Sequence, residues 1–434
     1  MIKILYVLAG DMSFDEMLYV DQFIAQLNHR TVENRLLVPP LPASQVTIQD
    51  RRTEIINANP GFNHEDWQAL LEDYEPQIVI LCDAAVMLSE DALELSYMDP
   101  EWLTEIPCVV AVMDFRMNVL KTPEGQLALK EYILQGMTPP RTLEYDFLIK
   151  VCPPHDAIPT ENPKLFQWGT QNAMAGLSLY TVREEVRLQL GCRPDSRLVT
   201  LVFPIENSLM AAEKGLFAHF GIVIETVIHY LNQLEEDCLL AVVNMPPPFE
   251  DYDFDNVQIR FFPILDLPLL NNLLKSSELM LTESLTYPGL SLSALQDIPV
   301  ITFGSSLRLD AHADGSHSFS HAFKTLDPFA QMKLDMLANE DPDLIFPYIS
   351  FPMELSHPWP QTELYQNRNL FYLADLFDLE KTYQLIHQLL NGGDYLDAFK
   401  QQLQDFRQKK LDLTQDAETI IRTLVTAPPR HLGL

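Results

Sequence analysis

The sequence predicts an α/β chain built from two doubly wound, parallel-sheet domains of Rossmann type. Three observations lead there. Short continuous apolar runs rich in Val, Ile and Leu alternate with helical stretches, as strands covered on both faces require. The alternation breaks around residues 153–180 and then starts again. The 434 residues suit two domains at roughly 100–200 residues each. The division is placed at residues 1–178 and 179–434, with the C-terminal helices returning to the first domain.

In the first half, Ile2–Leu8 reads as a strand. Phe14–Leu27 reads as a helix, because Met17, Leu18, Val20, Phe23, Ile24 and Leu27 fall near helical spacing. Arg35–Val38 is a strand stopped by Pro39 and Pro40. His64–Tyr74 is a helix with Asn63 as its N-cap. Gln77–Cys82, Cys108–Met113 and Phe147–Val151 are buried strands. In the second half, a charged helix over Thr181–Leu190 ends at Gly191, and Arg197–Phe203 is the next strand. The helix Leu216–Leu234 and the strands Cys238–Val243 and Val257–Phe262 follow. The helix Leu267–Leu274, the strand Leu279–Leu281, the short helix Leu290–Leu295 and the strand Pro299–Phe303 complete the alternation. From about Leu379 to Leu424 the chain reads as helical, with Tyr383, Ile386, Leu389 and Leu390 on one face.

Charge narrows the partners. Sixty-one acidic against 29 basic side chains give a formal net charge of −32. That field repels nucleic-acid phosphates and anionic head groups, so no nucleic acid is expected as a partner. An anionic ligand needs a local exception made of backbone N–H groups, a helix N-terminus or a few cations. No apolar stretch reaches the ~18 residues of a membrane span, and the acidic residues after Leu8 do not suit an export signal. Cys82, Cys108, Cys152, Cys192 and Cys238 are dispersed and form no C-x-x-C pair. They read as reduced core thiols, and a cytoplasmic location is expected.

Two segments carry a family resemblance. Thr181–Val199, TVREEVRLQLGCRPDSRLV, runs a charged helix into the first strand of the second domain. Residues 256–303 give strand, helix, the loop Thr282–Gly289, a second helix and a strand in that order. This chain resembles the GT-B glycosyltransferases, and within them the macrolide-type and murein-type members. The resemblance covers most of residues 181–303 and is topological only over residues 1–150. It implies two domains facing across a cleft, a nucleotide-sugar donor as co-substrate, no separate cofactor and a hydroxyl-bearing acceptor. In the family the loop matching 282–289 holds the donor diphosphate, a role the resemblance carries to Ser284, Thr286, Gly289 and Ser291. The loop after the first strand of that domain touches phosphate, which points to Asn207 and Ser208. Contacts to the donor sugar fall to Arg308 and Asp310.

The residues support part of this independently. A loop leaving a parallel strand and entering a helix presents unpaired N–H groups and the positive end of a helix dipole. Two departures from the family stand out. Glu206 sits where phosphate would approach, and the loop Ala9–Asp15 holds no His. A carboxylate in a closed cleft can serve as general base instead. Asp11 is the first candidate, with N-capping of the first helix as its alternative role. Asp114, after the strand 108–113, is the second. Asp83 reaches the same rim by position, with a plain turn residue as the other reading for both.

His312, Asp314, His317 and His321 lie within ten residues, but Gly315 and the serines among them argue for a polar loop, so no metal site is assigned. Trp168 is either a stacking platform or a core residue at a domain interface, and His219 and His229 read as structural histidines. Three functions follow. One is inverting, metal-independent sugar transfer from a nucleotide donor to a small-molecule or glycan hydroxyl. Another is a catalytically inactive relative serving as partner or activator of a biosynthetic enzyme; a partner enzyme or a homodimer is the association left open. The last is a sugar epimerase of the same architecture.

Overall fold

The computed structural model describes residues 1–10, 14–40, 48, 50–58, 61–89, 97–115, 119–152, 160–170, 183–193, 195–205, 208–209, 217–245, 249–265, 267–283, 288–305, 308–320, 331–332, 351–352 and 370–427. The chain divides into two compact units. Unit 1 holds Met1–Leu177 together with Arg407–Leu434, and unit 2 holds Ser178–Pro360 with Asn367–Phe406.

Unit 1 runs β1 (Ile2–Val7), α1 (Phe14–Ala25), β2 (Val32–Val38), β3 (Glu54–Asn57), α2 (His64–Tyr74), β4 (Ile78–Leu81), α3 (Ala84–Leu88) and β5 (Val109–Asp114). A small hairpin of β6 (Val119–Lys121) and β7 (Leu127–Leu129) follows, then α4 (Lys130–Leu134), β8 (Phe147–Cys152) and β9 (Leu165–Gly169). The sheet order is β3-β2-β1-β4-β5-β8-β9, and every neighbouring pair is parallel. β4 and β5 are buried at every position, which is why their sequences are unbroken apolar runs rather than alternating ones. Asn63 caps α2 as the sequence predicts. Its side chain accepts from the Glu65 and Asp66 amides at 2.8 and 3.3 Å, and Asp66 closes the capping box by accepting from the Asn63 amide at 3.1 Å.

Unit 2 runs α5 (Arg183–Gln189), β10 (Arg197–Val202), α6 (Phe217–Asn232), β11 (Cys238–Val243), β12 (Tyr252–Phe254), β13 (Val257–Phe262), α7 (Leu267–Ser276), β14 (Leu279–Thr282), α8 (Pro288–Leu295) and β15 (Val300–Ser305). A second small hairpin, β16 (Arg308–Ala311) with β17 (His317–Ser320), is followed by β18 (Phe351–Pro352), β19 (Tyr372–Asp375), α9 (Leu379–Asn391) and α10 (Asp394–Lys410). The order is β12-β13-β11-β10-β14-β15-β18, with β19 also on β15. Only β12 is antiparallel among these described strands. In α9, Ile386, Leu389 and Leu390 are buried, and Tyr383 packs against the same core.

The chain thus holds two separate doubly wound sheets. Three details differ from the sequence reading. The expected break at 153–180 contains β9, a strand whose Gln167, Trp168 and Gly169 hide it from an apolar-run search. The polar stretch after Ala311 is the turn and return strand of a hairpin, closed by His312 N–H to Ser316 O at 2.8 Å and Gly315 N–H to His312 O at 3.0 Å. His229 is exposed and shares a hydrogen bond with Gln233 at 2.7 Å, so it is not a core histidine. All five cysteines are free and buried. Among the described residues, no helix is long and apolar enough to cross a membrane.

The last helix, α11 (Ala417–Val425), closes unit 1. Gln415 lies beside β9, donating to Gln167 O at 2.7 Å and accepting from Gly169 N–H at 3.0 Å. The Oε1 of Gln26, on the chain just after α1, accepts from the Trp168 indole at 3.1 Å and from the Ala417 amide at 3.0 Å. Trp168 is fully buried and meets Phe23 edge to face at 5.1 Å, so it is a core residue of unit 1. Gln26→Leu deletes the acceptor these donors share, at about 1–3 kcal/mol for a buried group left unmade. The expected outcome is a urea midpoint lowered by roughly that amount, with faster hydrogen exchange in α11; an unchanged midpoint contradicts the shared-acceptor account.

Candidate functional site

In an open parallel sheet, ligands bind outside the carboxyl ends of the strands, where the strand order reverses. In unit 1 that point lies between β1 and β4, which pair in register from Ile4 with Ile78 to Val7 with Leu81. Beyond Val7 and Leu81 the two chains leave in opposite directions. Asp83 fills the gap. It stands at the N-cap position of α3 yet makes no cap bond; its Oδ2 instead accepts from the Gly10 amide at 2.7 Å. Asp83 is buried, so this contact is a short charge-assisted bond inside the protein. Tyr97 secures the same loop, donating its hydroxyl to Leu8 O at 2.7 Å.

Asp83, Asp114 and Glu16 line one cavity of about 210 Å³ at this edge, with Met113, Phe115 and Val119 among its apolar walls. All three carboxylates are buried. Asp114 is the last residue of β5 and stands next to Lys150 in the β5–β8 register. Glu16 comes from α1, whose residues from Phe14 to Ile24 are all buried. Tyr19 of α1 stacks on Phe115 at 5.0 Å and so fixes the helix against the end of β5. Burial pushes the Cys82 thiol well up, and the neighbouring charges of Asp83 and Glu16 push it further. The thiol is therefore protonated at neutral pH and is no nucleophile. The chemistry this edge can offer is carboxylate chemistry: accepting a proton from a hydroxyl, or holding a hydroxyl by hydrogen bonds.

Unit 2 repeats the reversal between β10 and β14. At its carboxyl edge Asn244 takes a left-handed conformation (φ 66°) and donates its side-chain amide to Phe203 O at 2.8 Å. Thr282, the last residue of β14, is the register partner of Thr302 within β15, both fully buried, and Glu283 follows, also buried. α8 opens on Pro288, a residue suited to the first helical position. Gly289 and Ser291 lie in its first turn, and Ser293 ties the helix to the sheet by donating to Met280 Sδ at 3.1 Å.

The amino edge of unit 2 is a different kind of place. The Nη1 of Arg187 reaches both oxygens of Glu278 at 2.9 and 3.1 Å, and Arg187 also donates to Ser196 O. Glu278 further accepts from Arg183 and from the Leu198 amide at 2.6 Å. Arg197 pairs with Glu236 at 2.8 Å. The arginines of the REEVR segment are thus committed to bolting α5 onto the sheet.

The structure brings Asp114 into the carboxylate cavity and Gly289 with Ser291 to the helix start after β14. Ser208 is at the carboxyl end of β10, but its hydroxyl is turned back onto Pro204 O at 3.1 Å. Arg308 and Asp310 stand in β16, paired in register with Ser320 and Ser318. Asp11, Asn207, Ser284 and Thr286 lie outside the described residues, as do Glu206 and His321. Among the described residues, no group of three His, Cys, Asp or Glu is placed to hold a metal ion. Glu16 was missed by the sequence reading; it is one of several polar residues of α1, with Asp15, Asp21 and Gln22, and all four are buried.

A family model described as "Family of unknown function (DUF6365)" matches residues 23–427. The chain belongs to this family. No curated protein matches the sequence. Among solved structures the chain is similar to the spinosyn rhamnosyltransferase SpnG, at 13% identity over 98% of this chain and 100% of that one, with a TM-score of 0.51. The UDP-GlcNAc 2-epimerase from Neisseria meningitidis bound to UDP-GlcNAc gives 11% identity, 98% and 100% coverage and a TM-score of 0.50. The calicheamicin glycosyltransferase CalG4 gives 10% identity, 98% and 99% coverage and a TM-score of 0.50. At such identity these likenesses establish the fold: this DUF6365 member has the two-domain GT-B architecture.

The Asp83 contact has a direct test. Asp83→Ala strands the Gly10 amide in a buried position, at about 1–3 kcal/mol, whereas Asp83→Asn keeps an acceptor oxygen. The melting temperature is expected to fall clearly for the alanine variant and little for the asparagine one. Equal losses would contradict a role for Asp83 as acceptor of the Gly10 amide.

Proposed function

We propose that this DUF6365 member is an enzyme of nucleotide-linked sugars that transfers the sugar to an acceptor hydroxyl. The observation that carries the reading is the set of three buried carboxylates around one cavity at the switch point of unit 1. Buried carboxylates are costly to keep without a task, and a base at that edge is what deprotonation of a hydroxyl needs. Asp114 is the proposed base. It takes the hydroxyl proton as the acceptor oxygen attacks the anomeric carbon, and the nucleoside diphosphate leaves with the bonding electrons. A single displacement of this kind inverts the configuration and asks for no metal. Asp83, already held by the Gly10 amide, orients the acceptor. In unit 2 the start of α8, with Gly289 and Ser291, is the proposed seat of the donor diphosphate, because helix N-termini favour anions.

One observation favours a second reading. Transfer to a hydroxyl needs one base, and the cavity holds three carboxylates. Epimerisation of a sugar carbon takes a proton from one face and returns one to the other, and so uses more than one such group. The fold is shared with a UDP-GlcNAc 2-epimerase as well as with transferases.

The test is a panel of UDP- and dTDP-sugars with and without hydroxyl acceptors, followed by nucleoside diphosphate release and sugar analysis. The proposal expects acceptor-dependent release. It expects Asp114→Asn to lower turnover by about 10²–10⁴-fold, the usual worth of a general base, with the melting temperature held. Asp114→Asn at wild-type turnover overturns the assignment of the base. An altered sugar with no acceptor present selects the isomerase. A wild-type protein inert toward every donor favours the inactive partner protein.

A further inference from the structure

The β6–β7 hairpin supplies Val119 to the wall of the unit 1 cavity, and its construction makes that wall stiff. Val119 pairs with Leu129, and Lys121 with Leu127. The turn is closed by Thr122 N–H to Gln126 O at 2.8 Å and Gly125 N–H to Thr122 O at 3.0 Å, with Gly125 at φ +95°, where a side chain would be strained. Leu127 and Leu143 exchange two backbone hydrogen bonds of 2.8 Å. Val119, Leu127 and Leu143 all sit in the core that also holds Met87 and Val112. Val119 is itself branched at Cβ and has little χ1 freedom. It is 5% exposed, so what lies behind it is packed protein and what lies before it is the cavity.

The same hairpin recurs in unit 2 after β15. There His312 donates to Ser316 O, and Gly315, at φ +83°, donates to His312 O. That is the turn pattern of Thr122, Gly125 and Gln126. A device built twice, each time after the second strand beyond the point where its sheet's order reverses, is a structural element rather than an incidental loop.

We propose that Val119 is the specificity-determining residue of the unit 1 cavity, restricting the group that enters beside Asp114 to a single ring bearing the reacting hydroxyl. At about 210 Å³ the cavity falls below the ~300–1,000 Å³ of sites for drug-sized ligands. That volume suits the reacting end of an acceptor, with the remainder of a larger molecule left outside. α3 lines the cavity with Ala84, Ala85, Val86 and Ser89, of which only Val86 is branched, and the pinned hairpin leaves Val119 unable to retreat. The inference rests on reading this cavity as the acceptor site.

Binding is tested with phenol and 2-naphthol as probes, by saturation-transfer difference NMR on the full-length protein without any donor. Wild type is expected to give a phenol signal and at least a fivefold weaker 2-naphthol signal. Val119→Ala should bring the two to parity, and Val119→Phe should abolish both. Ala85→Phe, which fills the cavity from the other wall, should also abolish the phenol signal and so places the probe. Val119→Ile, a one-methyl change, weakens phenol if the phenylalanine variant does not fold. Wild type that binds both probes equally, wild type that binds neither, or an unchanged preference in Val119→Ala overturns the proposal. Donor turnover is read separately. A shifted ring preference with no turnover of any donor keeps the filter and removes the transferase. Turnover with identical acceptor range in wild type and Val119→Ala removes the filter and keeps the transferase.

Discussion

The Gly10 amide meets Oδ2 of Asp83 at 2.7 Å at the one place in unit 1 where neighbouring parallel strands send their chains apart. Parallel pairing of β1 with β4 brings Val7 beside Leu81 and ends with Cys82 N–H to Val7 O at 2.9 Å, while Leu8 N–H turns to Leu37 O at 3.0 Å. The amide beyond β1 must be satisfied there, and water is excluded because Gly10 and Asp83 are both buried. A carboxylate is the strongest acceptor available for it. Its presence also sets the character of the cavity: negative, narrow and walled by α1, α3 and the ends of β4 and β5. Glu16 and Asp114 join a field that Asp83 has already established. The neutral state of the Cys82 thiol follows first from burial and then from the neighbouring Asp83 and Glu16.

The two units divide labour between their sheet edges in the same way. At the amino edge, the residue before β4 and the residue before β14 play one part. The Gln77 side chain accepts from the Lys3 amide at 3.3 Å, and that of Glu278 from the Leu198 amide at 2.6 Å. In unit 2 this position has grown into an ion-pair network in which Glu278 meets Arg183 and Arg187 together, with the Arg187 Nη1 shared between both carboxylate oxygens; networks are where such pairs contribute most. The carboxyl edges instead hold the groups suited to ligands: carboxylates in unit 1, and threonines, serines and a helix start in unit 2. The segment whose charged helix brought the GT-B resemblance owes that pattern to scaffolding. Arg183 and Arg187 are spent on the frame and are not offered to a ligand.

Much of the fold was legible because burial on both faces leaves an unambiguous trace. Cys238–Val243 and Val257–Phe262 have the bounds the apolar runs give, and Asn63 caps as its position implies. What was not legible has physical reasons. β3, β12 and the two hairpins are too short or too polar for periodicity to register. β9 is buried by partners far away in sequence, Gln26 and Phe23 among them, and its own residues do not announce it. The candidate site was half legible. Asp114 and Asp83 followed from their place after strands, but a place after a strand does not separate a turn residue from a buried acid. Glu16 could not be found at all, since α1 is covered on every side and an apolar stripe has no meaning there. The hairpin wall at Val119 likewise depends on a pairing with Leu143 that no local pattern encodes.

The central claim is that ligand chemistry belongs to the carboxyl edges of the two sheets. Hydrogen–deuterium exchange of the wild-type protein with and without a saturating UDP-sugar tests it most directly. The account predicts slowed exchange in the segments following β10 and β14, with the amino edge around Arg187 and Glu278 unchanged. Protection confined to that arginine-rich amino edge, or no protection anywhere across a panel of nucleotide sugars, would contradict it.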